Sequence, residues 1–517
     1  MDCKVWFAPF ASLAQTRKRF KLELKPLKTG HPRGLYVLFF TELWERFSFY
    51  GMRALLVLYL TKALSLSDDQ AYGIYGAYNA LVYATPVIGG LLADRWLGYR
   101  RAIILGASLM ALGHFCLAIP QAVSFYGGLG LLIAGSGLFK PNVSSLVGQL
   151  YAQNDPRRDA GFTIFYMGIN LGALLAPLAC GFVGQTYGWH YGFGLAGVGM
   201  LTGLCVFLLG LRRFRGLGLP PSPQALQKSL PIVLNVRNGI YVGLILSVPM
   251  FSTLVLHNHL TGWMLIVVGA AALGWMLCIA ISSERAQRDR LWVILILAGF
   301  SIAFWSFFEQ GGSSINLFTD RNINRELFGW NVPASLFQAI NPLFIILMAP
   351  MFSMLWFNLA SRGIEPSTPV KFALGIMLLA AGFAVLSLGA SLAGDQGRTS
   401  LVWLLLGYAL ITSGELSLSP VGLSMITRLA PARLVGAMMG IWFLSTAFAE
   451  YIAGLIAKLT SAPQTSVAIH TLSPIETIGL YGHVFTQIAV VAGAAGCALL
   501  IISPWLQRLI RRNGDSR

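Results

Sequence analysis

Long apolar runs separated by short, mostly basic connections recur along the whole chain, and that alternation leaves few folds open. A helix needs roughly 20 apolar residues to cross a bilayer core of about 30 Å. Lipid offers no partner to an unpaired backbone amide, so an apolar run of that length must be helical where it crosses. Spans are predicted at residues 35–61, 71–93, 101–120, 125–149, 161–184 and 191–211, then 239–257 and 261–282. A last group follows at 291–313, 333–357, 370–391, 400–420, 433–458 and 481–506, giving about fourteen crossings in all. Composition agrees, since 56% of the 517 residues are hydrophobic and only 11% charged, whereas soluble domains carry about 25% charged residues. The expectation is an all-α polytopic membrane protein.

The formal net charge of +17 does not point to nucleic acid, because Lys and Arg sit in clusters between spans rather than along one amphipathic element. Arg95/Arg100/Arg101, Arg157/Arg158, Arg212/Arg213/Arg215, Arg285/Arg288/Arg290, Arg362/Lys371, Arg428/Arg433 and Arg508/Arg511/Arg512 fall in alternate connections. That asymmetry marks loops facing the cytoplasm and predicts both termini inside, in the plasma (inner) membrane. Arg321 and Arg325 depart from the pattern. The tail through Arg33 is basic and lacks the continuous apolar core of a signal peptide. Domain organisation is read as a basic tail (1–34), a six-helix bundle (35–211), a linker (212–238), a two-helix insertion (239–282), a second six-helix bundle (291–506) and a short tail (507–517). Cys116, Cys180, Cys205, Cys278 and Cys497 lie in spans without CxxC spacing, and Cys3 lies in the tail; they read as small core residues. No metal site and no cofactor are expected.

The first span departs from an ordinary membrane helix. It contains Glu42, Glu45, Arg46 and Arg53, and a charged group near the bilayer centre costs roughly 2.5–3.5 kcal/mol on insertion scales. At about 100° per residue, Glu42, Glu45, Arg46, Tyr50 and Arg53 share one side of the helix. One reading is a salt-bridged patch between packed helices; the favoured one is the wall of a water-filled path for ions or a polar solute. Lys140, Glu309 and Glu415 add charge in the fourth, ninth and twelfth spans.

A weak repeat links the two six-helix sets. Trp305-Ser306-Phe307-Phe308 echoes Phe47-Ser48-Phe49-Tyr50, and Gly137-Leu138-Phe139-Lys140 and Gly414-Glu415-Leu416-Ser417 occupy the fourth span of each set. Two such halves around a midplane cavity suit a transporter. The segment from Gly90 to Arg101, with Asp94, Arg95, Gly98, Arg100 and Arg101, resembles the GxxxD(R/K)xxGxRR loop of the major facilitator superfamily. Glu42-x-x-Glu45-Arg46-Phe47-x-Phe49-Tyr50 resembles the ExxERFxYY motif of the proton-dependent oligopeptide transporter family, with Phe49 in place of the first tyrosine. Phe165-Tyr166-x-x-Ile169-Asn170-x-Gly172, Phe304-Trp305-x-x-Phe308-Glu309-Gln310-Gly311 and Gln338-x-x-Asn341-Pro342 extend that resemblance through both halves.

The resemblance implies a major facilitator fold of two six-helix bundles plus two extra central helices, acting as a monomeric, proton-coupled importer of di- and tripeptides by alternating access. It also implies ion bridges Lys140–Glu415 and Arg53–Glu309 that open and close. A peptide is a zwitterion, so Arg46 and Lys140 are the expected partners of its carboxylate and Glu415 of its ammonium. Asn170 and Asn341 offer both a donor and an acceptor, Tyr50 and Tyr83 hydroxyls, and Trp305 and Trp442 aromatic walls. Packing and helix–helix hydrogen bonding are the alternative roles for the aromatic residues and the asparagines. The proton, the only coupling ion, is assigned to Glu42, Glu45, Arg46, Lys140 and Glu415, whose charges depend on which partners they have. Animal members carry a histidine in the second span where this chain has Gly76, and His114, His190, His257, His259, His470 and His483 are scattered, so histidine coupling is not expected. Transport of another small anionic or zwitterionic solute, such as nitrate, is the alternative; a peptide receptor that moves nothing is weaker. A membrane hydrolase is weakest, because no GxSxG or HExxH set is present.

Overall fold

The structure is a computed structural model describing residues 30–152, 155–222, 235–429, 435–461 and 473–511. Most of the basic tail, part of the linker, Cys3, Arg433, His470, Arg512 and the side chains of Arg428 and Arg511 lie outside the described residues. The first half comprises α1 (Arg33–Lys62), α2 (Asp68–Ala84), α3 (Pro86–Leu92), α4 (Tyr99–Leu117), α5 (Ala122–Gln149), α6 (Arg158–Ala176), α7 (Phe182–Thr186) and α8 (Trp189–Gly210). Helices α2 with α3, and α6 with α7, are single crossings interrupted at Pro86 and Pro177, where proline removes a backbone donor. Two helices follow, α9 (Val236–Leu256) and α10 (Asn258–Ser282). The second half comprises α11 (Arg285–Phe308), α12 (Ser314–Asn322), α13 (Ile340–Ser361), α14 (Thr368–Ser391), α15 (Leu401–Leu429), α16 (Val435–Lys458) and α17 (Pro474–Arg511). Among the described residues 13 helical segments are long and apolar enough to span by composition alone, and α1, with Glu42, Glu45, Arg46 and Arg53 inside its apolar stretch, makes the fourteenth.

Both halves use one packing plan. In the first, α1 lies against α6 and α8, and α4 against α5 and α8; in the second, α11 lies against α16 and α17, and α14 against α15 and α17. Across the interface α2 packs on α16, and α6 on α13, again as symmetry-related pairs. Helices α9 and α10 stay at the periphery, largely exposed. Ser252 of α9 donates to Tyr126 O on α5 (2.9 Å), and Tyr451 of α16 donates to Asn258 O at the start of α10 (3.1 Å), so the insertion touches both halves.

Helix α1 is buried nearly all round. Its neighbours are protein rather than lipid, which is why it carries charges that a lipid-facing helix would not.

The ninth apolar run, read as continuous over 291–313, is broken. Helix α11 ends at Phe308, Glu309–Gly312 form a tighter turn, and α12 starts at Ser314. At Gly312 any Cβ would strike the Tyr75 hydroxyl, so glycine lets α2 approach the break.

The all-α expectation holds, with one small addition in a loop. β1 (Glu326–Leu327) and β2 (Trp330–Asn331) form a small antiparallel hairpin. Phe328 and Gly329, both at positive φ, make its two-residue turn.

The cysteines correct another expectation. Cys180 is buried, but Cys205, Cys278 and Cys497 are exposed on the outer surface, since in lipid a small apolar side chain gains little from facing inward.

The described ion pairs that join the halves gather toward one end. Arg321 forks onto Asp68 (2.6 and 2.8 Å), Lys62 reaches Asp320 (2.7 Å) and Lys458 reaches Asp69 (3.1 Å). This explains Arg321 and Arg325, which broke the loop-charge rule: Arg321 serves this closure, and Arg325 bonds Val332 O and Asp320 O.

The turn between α3 and α4 meets the linker instead. Gly98 sits at φ 71°, with Leu219 and Pro220 backbone 2.5 Å from where a Cβ would lie, and Arg100 N donates to Gly218 O (3.0 Å). Only glycine satisfies both constraints.

Candidate functional site

A cavity of about 240 Å³ lies between the halves, room for a small solute rather than one ordered water. Its walls include Tyr50 and Arg53 of α1, Asn170 of α6 and Tyr83 of α2. The second half contributes Trp305 of α11, Glu309 of the turn that follows, Asn341 of α13 and Glu415 of α15. The helix break after Phe308 is what turns Glu309 toward this space, and α1 supplies Tyr50 and Arg53 three residues apart on its inner face.

One end of the cavity is capped by Arg53. Its Nε donates to the Tyr75 hydroxyl (2.6 Å) and its Nη2 pairs with Glu309. Both ionic side chains are at most 9% exposed, so each depends on the other for compensation. The bridge joins the two halves at depth, near the same end as the Arg321–Asp68, Lys62–Asp320 and Lys458–Asp69 pairs.

Glu415 is held from within its own half. Asn341 Nδ2 donates to Glu415 Oε2 (2.9 Å) and to Thr412 Oγ1 (3.0 Å). Asn341 thus positions the carboxylate on the cavity wall. Asn170 donates to Tyr166 O within its own helix (3.1 Å), not across helices as the packing alternative required.

The other predicted charges stand off the cavity. Arg46 Nε lies 2.9 Å from Glu42 Oε1 and 2.5 Å from Glu45 Oε2, and all three side chains are at most 8% exposed. With both carboxylates on it, the guanidinium does not reach the wall. Lys140 Nζ finds no hydrogen-bond partner among the described residues; the ammonium sits 4.5 Å from the Phe49 ring centroid and 4.0 Å from that of Tyr83. Cation–π attraction replaces its missing hydrogen bonds, in the field of Arg46, Glu45, Glu450 and Glu42. The implied Lys140–Glu415 bridge is therefore not formed in this structure, whereas Arg53–Glu309 is. Trp442 is half-buried against the apolar core instead of lining the cavity. Phe49, which lacks the motif's hydroxyl, presents its ring to both Arg46 (5.6 Å) and Lys140.

Three site residues were not singled out from sequence, and a fourth, Gln338, was quoted only as part of a motif. Tyr75 braces Arg53, Tyr408 lines the wall, and Gln338 Nε2 donates to Gly311 O (2.6 Å), tying α13's approach to the helix break. Glu450 of α16 is 1% exposed, and the cost argument applied to Glu309 and Glu415 would have found it. At Gly76 a Cβ would lie 2.9 Å from Gly454 Cα and 3.4 Å from Glu450 O; the position given to histidine in animal members is here a backbone-to-backbone crossing.

Two bundles of one packing plan around a shared cavity define a major facilitator transporter fold, and the comparisons narrow the class. The family model described as the POT family matches residues 100–475. The uncharacterized transporter YclF of Bacillus subtilis (strain 168) is 40% identical over 502 residues, covering 93% of this chain and 96% of the relative. Dipeptide and tripeptide permease A of Chromobacterium violaceum is 36% identical over 488 residues, covering 94% and 95%. A crystal structure of a mutant peptide transporter POT in complex with alafosfalin superposes with a TM-score of 0.80 at 37% identity, covering 93% of this chain and 96% of that one. The chain belongs to the POT family.

Proposed function

We propose that this protein is a proton-coupled symporter that imports di- and tripeptides through the plasma membrane by alternating access, with both termini cytoplasmic, and that it works as a monomer. The observation that carries the reading is the pair of bridge sites in opposite states: Arg53–Glu309 closed at one end of the cavity, Lys140 and Glu415 apart. Related proteins named as peptide transporters and as a dipeptide and tripeptide permease support the substrate class. The ion pairs at the closed end connect loops predicted to face outward, so the state described is closed to the outside.

In the proposed cycle a peptide ammonium docks at Glu415, beside the donors of Asn341. Its carboxylate draws a cation from the Glu42–Glu45–Arg46 cluster, and the carboxylate left behind takes up a proton. With Lys140 the cluster carries two cations and two carboxylates, so it is neutral when all four are ionised. Any ligand anion that engages one cation therefore leaves negative charge that a proton can offset. Ligand and proton shift the halves only through their different affinities for the two states.

The decisive experiment is dipeptide uptake into proteoliposomes with and without an inward pH gradient. The wild type is expected to accumulate peptide only with the gradient, and Glu45→Gln to lose that stimulation. A wild type indifferent to the gradient would overturn the coupling. Glu415→Ala should act on binding: losing a charged hydrogen-bond partner costs about 2 kcal/mol, or roughly thirtyfold in KM at 1.4 kcal/mol per decade. The effect should be confined to peptides with a free amino terminus, and equal losses for N-acetylated peptides would reject the assignment.

A further inference from the structure

Beside the Arg53–Glu309 bridge lies a carboxyl that this cycle does not use. Glu450 projects from α16 just before the Gly76–Gly454 crossing and is buried. No donor among the described residues reaches either of its carboxyl oxygens. What its carboxyl meets is the carboxyl of Glu309, in hydrogen-bonding reach.

The groups that face Glu450 come from several elements: Arg53 of α1, Tyr75 and Tyr83 of α2, Glu309 of the turn after α11 and, further off, Lys140 of α5. Arg53 already spends its Nε on Tyr75 and its Nη2 on Glu309. One guanidinium therefore stands against two carboxyls, with all three side chains less than a tenth exposed. Two carboxylates in contact cannot both stay ionised there, and the arrangement that satisfies both is a single O–H between them. The two titrate as a pair, so the proton belongs to both.

We propose that Glu450 and Glu309 share one proton while the Arg53–Glu309 bridge is closed, making Glu450 a second proton-carrying group of the transporter. The proton arrives from bulk water when the bridge opens and bonds to a carboxylate oxygen of the pair. It is held under the closed bridge and leaves to water through Glu309, which lines the cavity while Glu450 does not. No electron moves and no other bond changes. A structural carboxamide at this position could make the same hydrogen bond but could not release a proton.

The inference rests on the symporter reading, and the test separates the two. The full-length protein is reconstituted in liposomes and the proton-to-peptide ratio read from the reversal potential, for wild type and Glu450→Gln, whose amide donates permanently to Glu309. In parallel the infrared carbonyl stretch of a protonated buried carboxyl is followed in the purified protein. Expected are a loss of one proton per peptide, a flatter pH profile of uptake and disappearance of that carbonyl band in Glu450→Gln. Glu450→Asp should keep the proton and shift the band. An unchanged ratio and an unchanged band in Glu450→Gln overturn the proposal. If wild-type uptake ignores the pH gradient, the symporter reading fails, and the infrared measurement still decides whether the pair holds a proton. Should Glu450→Gln not insert, an unshifted band in Glu450→Asp overturns it instead.

Discussion

Glu309→Ala is expected to unseal the closed end of the transporter and to cut proton-driven uptake to near background. Removing one partner of a buried ion pair strands the other, at a cost of about 3–5 kcal/mol. Arg53 cannot answer by giving up its proton; its remaining described hydrogen bond is to the Tyr75 hydroxyl, and Glu450, which faces it without a hydrogen bond, offsets only part of the loss. The bridge exists only when the halves meet at this end, so the cost falls on the closed state alone. A shift of about 3 kcal/mol changes the ratio of open to closed on the order of a hundredfold. The measurement is the rate at which a water-soluble maleimide added outside labels a cysteine placed at Ser314, a buried position beside the break, in a background without the 6 native cysteines. Arg53→Ala should be milder, and milder still at low pH, because an orphaned carboxyl can take up a proton where an orphaned guanidinium cannot lose one. If Glu309→Ala labels and transports like the wild type, the bridge is not the latch.

That asymmetry bears on what the sequence could disclose. The spans were legible because hydrocarbon thickness fixes helix length, and the charged face of α1 because helical geometry places Glu42, Glu45, Arg46 and Arg53 on one side. Which part of that face touches the cavity was not legible. Arg46 and Arg53 differ by seven residues, nearly two turns, and only the neighbours decide that one is locked by two carboxylates while the other caps the cavity. The break at Glu309–Gly312 was hidden because the apolar run continues through it and its glycines are ordinary in membrane helices. The ion-paired closure between the halves was hidden for a different reason: Asp68 with Arg321, and Lys62 with Asp320, are pairs of residues more than 250 positions apart, and no local pattern joins them. Trp442 illustrates the reverse error, a residue whose aromatic character fits a binding wall but whose place in α16 turns it into the core. Glu450 was legible and overlooked, since a lone carboxylate in an apolar span calls for a partner wherever it occurs.

Gly76→His is expected to cut transport to a small residue without creating a histidine-coupled carrier. The crossing of α2 and α16 is a contact of glycine on glycine: a Cβ on Gly76 would lie 2.9 Å from Gly454 Cα, and one on Gly454 would lie 2.9 Å from Gly76 Cα and 3.0 Å from Tyr72 O. These are backbone atoms, so no rotamer change relieves the clash and the helices must separate. Overpacking of this kind costs roughly 1–3 kcal/mol for a small side chain, and an imidazole adds ring volume where even a methyl does not fit. Because α2 and α16 belong to different halves, the penalty again falls on the state in which they meet, and it also displaces Glu450, whose backbone carbonyl oxygen would lie 3.4 Å from a Cβ on Gly76. Gly76→Ala and Gly454→Ala should each slow uptake and speed labelling at the closed end. Their combination should be less than additive, since helices already forced apart by the first methyl accommodate the second. The informative comparison is the pH profile of whatever uptake Gly76→His retains. If that variant transports at the wild-type rate with a new inflection near the usual histidine range of about 6.5, the crossing is not the constraint described, and the glycine marks only the absence of a histidine.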